Sequence, residues 1–242
     1  MPYFWQMSYP FFYESFESSH EIFCSDATTH HITQVLRMQE GEKIFFTNGK
    51  GLKCLAEISG IQKKSFQFSV LSEELAPVMQ PQLTIAISFT KNAARIEWLV
   101  EKITEMGIHS IVPLVTKRSE RHHIKTERLE KIMIAAMLQS QQTYLPVLKT
   151  NHTIEELITL DETEKYIAHC EVAKQRVSLL DALTPNKNAT ILIGPEGDFT
   201  EDEIHLCLQA NFHAVSLGTN RLRTETAGLF ACAVFNAKQN QS

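Results

Sequence analysis

No stretch of the sequence approaches the roughly 18 consecutive apolar residues that a membrane-spanning helix needs. A basic excess is also missing. The formal charge is −5 over 242 residues and the pI is near 6.1. A protein that coats nucleic acid with its whole surface is therefore excluded, and any RNA contact must come from a local patch. Cysteine is sparse and unpaired: Cys24, Cys54, Cys170, Cys207 and Cys232 are scattered with no C-x-x-C spacing. That argues for a reducing compartment and against a disulfide framework or a zinc cage. The pairs His30–His31 and His122–His123 form no recognisable ligand set with nearby cysteines or carboxylates, so no metal is expected. The opening "MPYFWQMSYPFFYESF" lacks the basic start and small-residue cleavage site of a signal peptide, and a cytoplasmic location is the expectation.

Two textures follow one another along the chain. Residues 1–75 read as β structure and as a first domain. "EKIFFTNGKGLKCLAEI" holds two strand-like runs around Asn48-Gly49, a hairpin signal because both residues tolerate positive φ. "KKSFQFSVL" alternates, with Phe66 and Phe68 on one face, and "HHITQVLRM" reads as a short helix with Ile32, Val35 and Leu36 on one side. The stretch "SEELAPVMQPQ", with Pro77 and Pro81, reads as a linker. Residues 76–242 then alternate strand and helix. "LTIAISF", "IHSIVPLV", "KYIAHC", "TILIG" and "HAVSLG" are the strands. In "NAARIEWLVEKITEMG", Ile96, Leu99, Val100, Ile103 and Met106 recur at helical spacing before Gly107. "TERLEKIMIAAMLQS" is the next helix, and Thr153 with Glu156 forms a capping box. Such alternation calls for a mainly parallel sheet covered by helices. Ligands of such sheets sit beyond the carboxyl ends of the strands, here after Ala168, Leu192 and Ser216.

"ILIGPEGDFTEDEI" runs strand, glycine turn, helix, with a second capping box from Thr200 to Glu203. A lone G-x-x-G is by itself an ordinary tight β–α turn. Helix starts attract anions, yet Glu196, Asp198, Glu201, Asp202 and Glu203 crowd this one and the segment holds no Lys or Arg. Phosphates would meet like charge, and neither the P-loop nor the dinucleotide spacing is present. A ligand with adenine, ribose and a positive centre suits these charges, and S-adenosylmethionine has that chemistry.

"LIGPEGDFTEDEI" and "LGTNRLRTETAGLFA", with "HHITQVLRMQEGEKI" and "RIEWLVEKITEMGIHSIVPLVTKRS", resemble the four motifs, in order, of the 16S rRNA uracil-N3 methyltransferase family of the knotted SPOUT superfamily. The resemblance covers residues 20–238. It implies a PUA-like β-barrel for RNA, followed by an α/β domain ending in a deep trefoil knot, a rare exception to the rule against threading. It further implies a homodimer, S-adenosylmethionine bent into the knot, and 16S rRNA of the small ribosomal subunit as partner. The cofactor would rest on Ile193, Gly194, Pro195, Glu196 and Gly197, on Ser216, Leu217, Gly218, Asn220 and Leu222, and on Arg223 and Thr224, with His169 as the third wall. Three positions depart from the family. Asp198 stands for Gly, Thr219-Asn220-Arg221 for Pro-Arg-Ile, and Ser140-Gln141-Gln142 for Ser-Gly-Arg.

Uracil N3 becomes nucleophilic only when its proton leaves, so a base or strong anion stabilisation is required. Arg223 is the candidate to stabilise charge on a uracil carbonyl. Glu225 and Glu196 are candidate proton acceptors, or else stabilise helix starts. N3 lies on the pairing edge, so the base must be unpaired or extruded. Candidate RNA contacts are Lys117, Arg118, Arg121 and Lys125 in "TKRSERHHIK", with His31 and Arg37 from the first domain. A ribose 2′-O-methyltransferase of the same superfamily, or a noncatalytic assembly factor that kept the fold, remain as rivals.

Overall fold

The computed structural model describes residues 9–17, 22–62, 65–119, 125–159, 164–171 and 176–239. The chain divides into two compact units, residues 1–78 with 137–145, and residues 79–136 with 146–242. The second segment of the first unit, 137–145, is one that a single linear boundary does not capture.

In the first unit, β1 (Phe11–Tyr13), α1 (Asp26–His30), β2 (Lys43–Thr47), β3 (Leu52–Gln62) and β4 (Ser65–Leu75) follow in order. The strands pair as β1-β2-β3-β4, parallel for β1 with β2 and antiparallel thereafter. Alternate residues form the core: Phe12, Ile44, Phe46, Cys54, Ala56 and Ile58 are buried, with Phe66 and Phe68 packed against them. The Asn48-Gly49 signal marks a real reversal, but a longer one than a two-residue turn. Gly49 and Gly51 adopt the positive φ values, 71° and 97°, while the Asn48 side chain accepts from the N–H groups of Lys50 (2.9 Å) and Leu52 (3.3 Å). Gly51 is required for a second reason, because a Cβ there would stand 2.3 Å from the Tyr144 hydroxyl. Tyr144 in turn donates to the Ala76 carbonyl (2.8 Å), and Gly51 N–H donates to the Thr143 carbonyl (2.9 Å). The segment 137–145 is thus stitched along the hairpin.

Two local expectations are corrected. α1 begins at Asp26, capped by Ser25, whose hydroxyl accepts from Thr28 N–H. The chain then widens into one π-helical turn over His31–Val35. That wider turn rotates the faces, so Ile32 is buried while Val35 and Leu36 are exposed. The supposed linker is also shorter, because residues 72–75 continue β4.

The second unit holds β5 (Leu83–Ile87), α2 (Ala93–Glu105), β6 (Ser110–Val115), all but the last turn of α3 (Thr126–Gln139), β7 (Val147–Leu148), β8 (His152–Thr153), α4 (Ile154–Leu157), β9 (Glu164–Ala168), β10 (Val177–Ser178), α5 (Leu179–Ala182), β11 (Ala189–Ile193), α6 (Glu201–Gln209), β12 (His213–Ser216) and α7 (Thr224–Gln239). The sheet order is β10-β12-β9-β11-β5-β6-β7, with β8 also on β6, and its pairs are parallel. Burial on both faces explains why "LTIAI" and "ATILI" are almost continuously apolar. One face gathers Ala86, Leu192, Ile167, Ile204 and Cys207 into a core with Leu157 of α4. On the other face lie α2 and α7. Arg95 and Glu225 are 3.6 Å apart, Leu99 abuts Gly228, and Asn236 donates to the Met106 carbonyl (2.7 Å). These contacts advance together, so the two helices run parallel. α2 starts at the Asn92 cap and is followed by Gly107 at φ 80°.

A Cβ at Gly228 would lie 2.8 Å from Ile87 Cδ1 and 3.2 Å from Leu99 Cδ1, both side chains being fully buried. Overpacking of this kind costs about 1–3 kcal/mol. Gly228→Val is expected to lower the unfolding free energy by about 2 kcal/mol in urea titrations, with the m-value unchanged.

Candidate active site at the carboxyl edge of the sheet

β9, β11 and β12 are neighbours in the sheet, so the three loops that leave them open on one edge. They enclose a cavity of about 350 Å³, a size suited to a small organic ligand. Its apolar wall is Ile193, Val215, Leu217, Leu222 and Ala227, and its polar groups include His169, Glu196, Asp198, Arg176, Arg221 and Arg223. His169 is buried and its Nδ1 accepts from Glu171 N–H (3.2 Å), while Arg176 Nη1 donates to the His169 carbonyl.

The loop after β11 takes its shape from groups far away in sequence. Thr224 Oγ1 donates to the Gly194 carbonyl (3.1 Å), and Arg221 Nη2 donates to the Glu196 carbonyl (3.0 Å). Asp198 holds φ 62°, a conformation that Asp tolerates better than most residues. Its carboxylate accepts from Cys170 N–H (2.8 Å) and from Phe199 N–H (2.8 Å). Asp198 therefore ties the β9 and β11 loops together, a link that a glycine there could not make.

Most of the expected cofactor residues come together: His169, Ile193, Gly194, Pro195, Glu196, Leu217, Gly218, Asn220, Leu222, Arg223 and Thr224 all line the cavity. Gly197 and Ser216 are not among its lining residues. Gly197 is exposed with its carbonyl turned to Arg118, and Ser216 ends β12 half-buried. Arg223 and Glu196 are exposed at the cavity. Glu225 is not at the wall. It is buried between α7 and α2, 3.6 Å from Arg95 Nε, with Oε2 lacking a hydrogen-bond partner among the described residues. Sequence reasoning missed Arg176, Asp198, Val215 and Ala227 as wall residues and reached Cys170 only as a neighbour of His169. Cys170 and Val215 carried a signal as residues at strand ends, whereas Arg176 carried none.

Acidic charge does not close this cavity to phosphate in the way the linear sequence implies. Of the five acids in the loop, only Glu196 and Asp198 line the cavity. Glu203 accepts from Thr200 N–H and from Lys117 N–H, and Asp202 pairs with Lys117 Nζ (3.0 Å). Arg176, Arg221 and Arg223 line the same cavity as the two remaining carboxylates, so crowding by acids does not by itself exclude an anion. Linear proximity misled because the cations arrive from other segments. Exclusion of a nucleotide phosphate now rests on the missing motifs.

The expected RNA residues are placed differently in each unit. His31 and Arg37 are exposed in the first unit, where the His31 ring meets Phe12 edge-on at 5.4 Å. In the second, Lys117, Arg118 and Lys125 are exposed, but Lys117 and Arg118 spend donors on the acidic helix start and the cavity loop. Arg121 lies outside the described residues. No group of metal-binding side chains is found among the described residues, and no described helix is long and apolar enough to cross a membrane.

Residues 78–236 match a family model described as an RNA methyltransferase domain. The chain belongs to this RNA methyltransferase family. Residues 25–71 match a second model, an RNA methyltransferase PUA domain, which agrees with the four-stranded first unit. Among curated relatives, ribosomal RNA small subunit methyltransferase E of Rickettsia conorii is 30% identical, with 90% of this chain and 89% of that protein covered. The protein of the same name from Bacillus subtilis is 29% identical, with 86% of each covered. Among solved structures, a probable rRNA-methyltransferase from Porphyromonas gingivalis superposes with TM-score 0.90 at 39% identity, covering 96% of this chain and 99% of that one. A ribosomal RNA small subunit methyltransferase E from Neisseria gonorrhoeae, bound to S-adenosyl methionine, gives TM-score 0.80 at 27% identity, covering 96% and 98%.

Cys170 is the exposed thiol at the cavity. Burial pushes the Cys232 thiol up to about 12, and burial with nearby acidic charge does the same for Cys207 and Cys24, to about 12, and for Cys54, to about 11. The thiolate is the reactive form, so iodoacetamide at pH 7.5 is expected to alkylate Cys170 first in the folded protein. Peptide mass spectrometry checks this, and early modification of Cys207 or Cys232 would contradict their burial.

Proposed function

We propose that this protein is an S-adenosylmethionine-dependent methyltransferase acting on N3 of a specific uridine in 16S rRNA of the small ribosomal subunit. The observation that carries the reading is the convergence of three strand-end loops on one cavity of small-molecule size in a chain of this family. The residues present fit the cofactor. An apolar wall suits an adenine, and Glu196 and Asp198 supply carboxylates for a sulfonium and ribose hydroxyls. The relative from Neisseria gonorrhoeae holds that molecule in the same fold.

When bound, S-adenosylmethionine supplies an electrophilic methyl group. The chain must align an acceptor with it and exclude water. Arg223, exposed at the cavity, donates to a uracil carbonyl and stabilises the charge that appears as N3 loses its proton. Glu196 at the rim takes that proton. Glu225, sequestered against Arg95, acts by holding the start of α7 and with it the position of Arg223. The exposed Arg37 and Lys125, with Arg121, bind phosphates, and the exposed His31 ring is a further RNA contact.

A second copy of the chain completes the active form. Trp98 on α2 and Phe230 on α7 are 43% and 42% exposed, large apolar groups suited to a partner surface. Phe230→Asp is expected to shift the protein from dimer to monomer in light scattering. The location consistent with this substrate is the cytoplasm.

Arg223→Ala is expected to lower turnover at least about 100-fold while cofactor affinity in calorimetry changes by less than about threefold; unchanged turnover would reject the role. The function itself is tested by nucleoside mass spectrometry of 16S rRNA from cells with and without the protein. Loss of N3-methyluridine supports the reading, and loss of a ribose-methylated nucleoside instead overturns it.

A further inference from the structure

Arg118 reaches the cavity loop from the turn that follows β6, an element that contributes nothing to the cavity wall. Its Nη1 donates to the Gly197 carbonyl (2.7 Å) and to the Phe199 carbonyl (3.3 Å). Its stem packs against Gly197, with Cδ 3.4 Å from where a Cβ would stand. The turn that carries Arg118 is itself fastened. Ser119 Oγ accepts from Thr116 N–H (2.9 Å) and lies 3.1 Å from Ser88 Oγ, and Lys117 N–H donates to Glu203 (2.7 Å). Ser88 in turn donates its N–H to the Ile193 carbonyl (3.0 Å).

A loop outside helix and sheet must find partners for its backbone carbonyls elsewhere, and those partners set its shape. Here Thr224 and Arg221 hold the Gly194 and Glu196 carbonyls, and Arg118 holds those of Gly197 and Phe199. Between the two sites of Arg118 lies Asp198, a wall residue. Next comes Phe199, whose ring would stand 3.1 Å from a Cβ on Gly194 and so props the turn.

We propose that Arg118 is a positioning residue of the cavity loop, setting how tightly the cavity holds S-adenosylmethionine and not how the surface grips RNA. The proposal rests on the cofactor reading above and adds to it a residue outside the cavity. Both bonds leave the one Nη1 amino group, whose two N–H donors are fixed in the guanidinium plane, a direction that the freely rotating ammonium of a lysine does not preset.

The test uses the full chain and its Arg118→Ala, Arg118→Gln and Arg118→Lys variants, with S-adenosylmethionine as the calorimetric probe. Loss of two charge-assisted bonds at an exposed side chain is expected to raise the dissociation constant about tenfold in the Ala and Gln variants, with Lys in between. The KM for the cofactor rises in parallel while kcat stays within about threefold, a split that general destabilisation would not give. For 16S rRNA binding, the slope of log affinity against log salt is expected to stay at the wild-type value. A phosphate contact predicts the opposite pair, a slope reduced by about one and an unchanged cofactor constant, and that result overturns the proposal. If Arg118→Ala does not fold, Arg118→Gln decides by the same two readouts. A wild-type chain that binds no S-adenosylmethionine overturns the proposed function and this inference with it. Equal binding by wild type and variants overturns this inference alone.

Discussion

The close approach of α7 to the sheet at Gly228 is the contact on which the site depends. A helix normally stands about 10 Å from what it packs against, held off by its side chains. Here the missing side chain lets Ile87 and Leu99 meet the backbone of α7 directly, and Ala227, Ala231 and Cys232 keep the neighbouring face small and buried. Because α7 sits so low, its first residue can bond the carbonyl of Gly194, and Arg223 just before it opens onto the cavity. The stripe of small residues in "TETAGLFACA" is thus a geometric requirement of the active edge as well as a feature of the core.

The cavity's chemistry comes from assembly across the chain. Its two carboxylates come from the loop after β11 and two of its three guanidinium groups from the loop after β12, while Arg176 comes from the segment before β10. Held close together at a half-enclosed edge, such charges interact more strongly than they would in open solvent. The arrangement gives a mixed-charge cavity able to accept a zwitterionic ligand. Charge counted along "IGPEGDFTEDE" alone describes it poorly.

Much of this was legible in the residues. Strand and helix alternation from residue 83 onward marks a parallel sheet because strands buried on both faces must be apolar throughout, as in "TILI". Both capping boxes, at Thr153 and Thr200, form as the T-x-x-E spacing indicates. The three strand ends could be named as the ligand edge because strand ends in such sheets converge there, whereas the individual wall residues near Gly194 and Gly218 came from the resemblance of the two motifs that hold them. What was not legible depends on long-range geometry. The burial of Glu225 follows from how α7 turns toward α2. The bonds of Arg118 to the Gly197 and Phe199 carbonyls are not legible either, because a run of cations gives no sign of which carbonyls lie beside it. The π-helical turn at His31–Val35 exposes residues that an ideal helical period would have hidden together.

The strap formed by residues 137–145 means that the two units are interleaved in the chain, although they are compact in space. During vectorial synthesis the first unit cannot be finished when its four strands have emerged. Tyr144 must still arrive to cover Gly51 and bond Ala76, after a large part of the second unit has been made. Maturation of the two units is therefore ordered by connectivity, with the last piece of the earlier one delivered by the later.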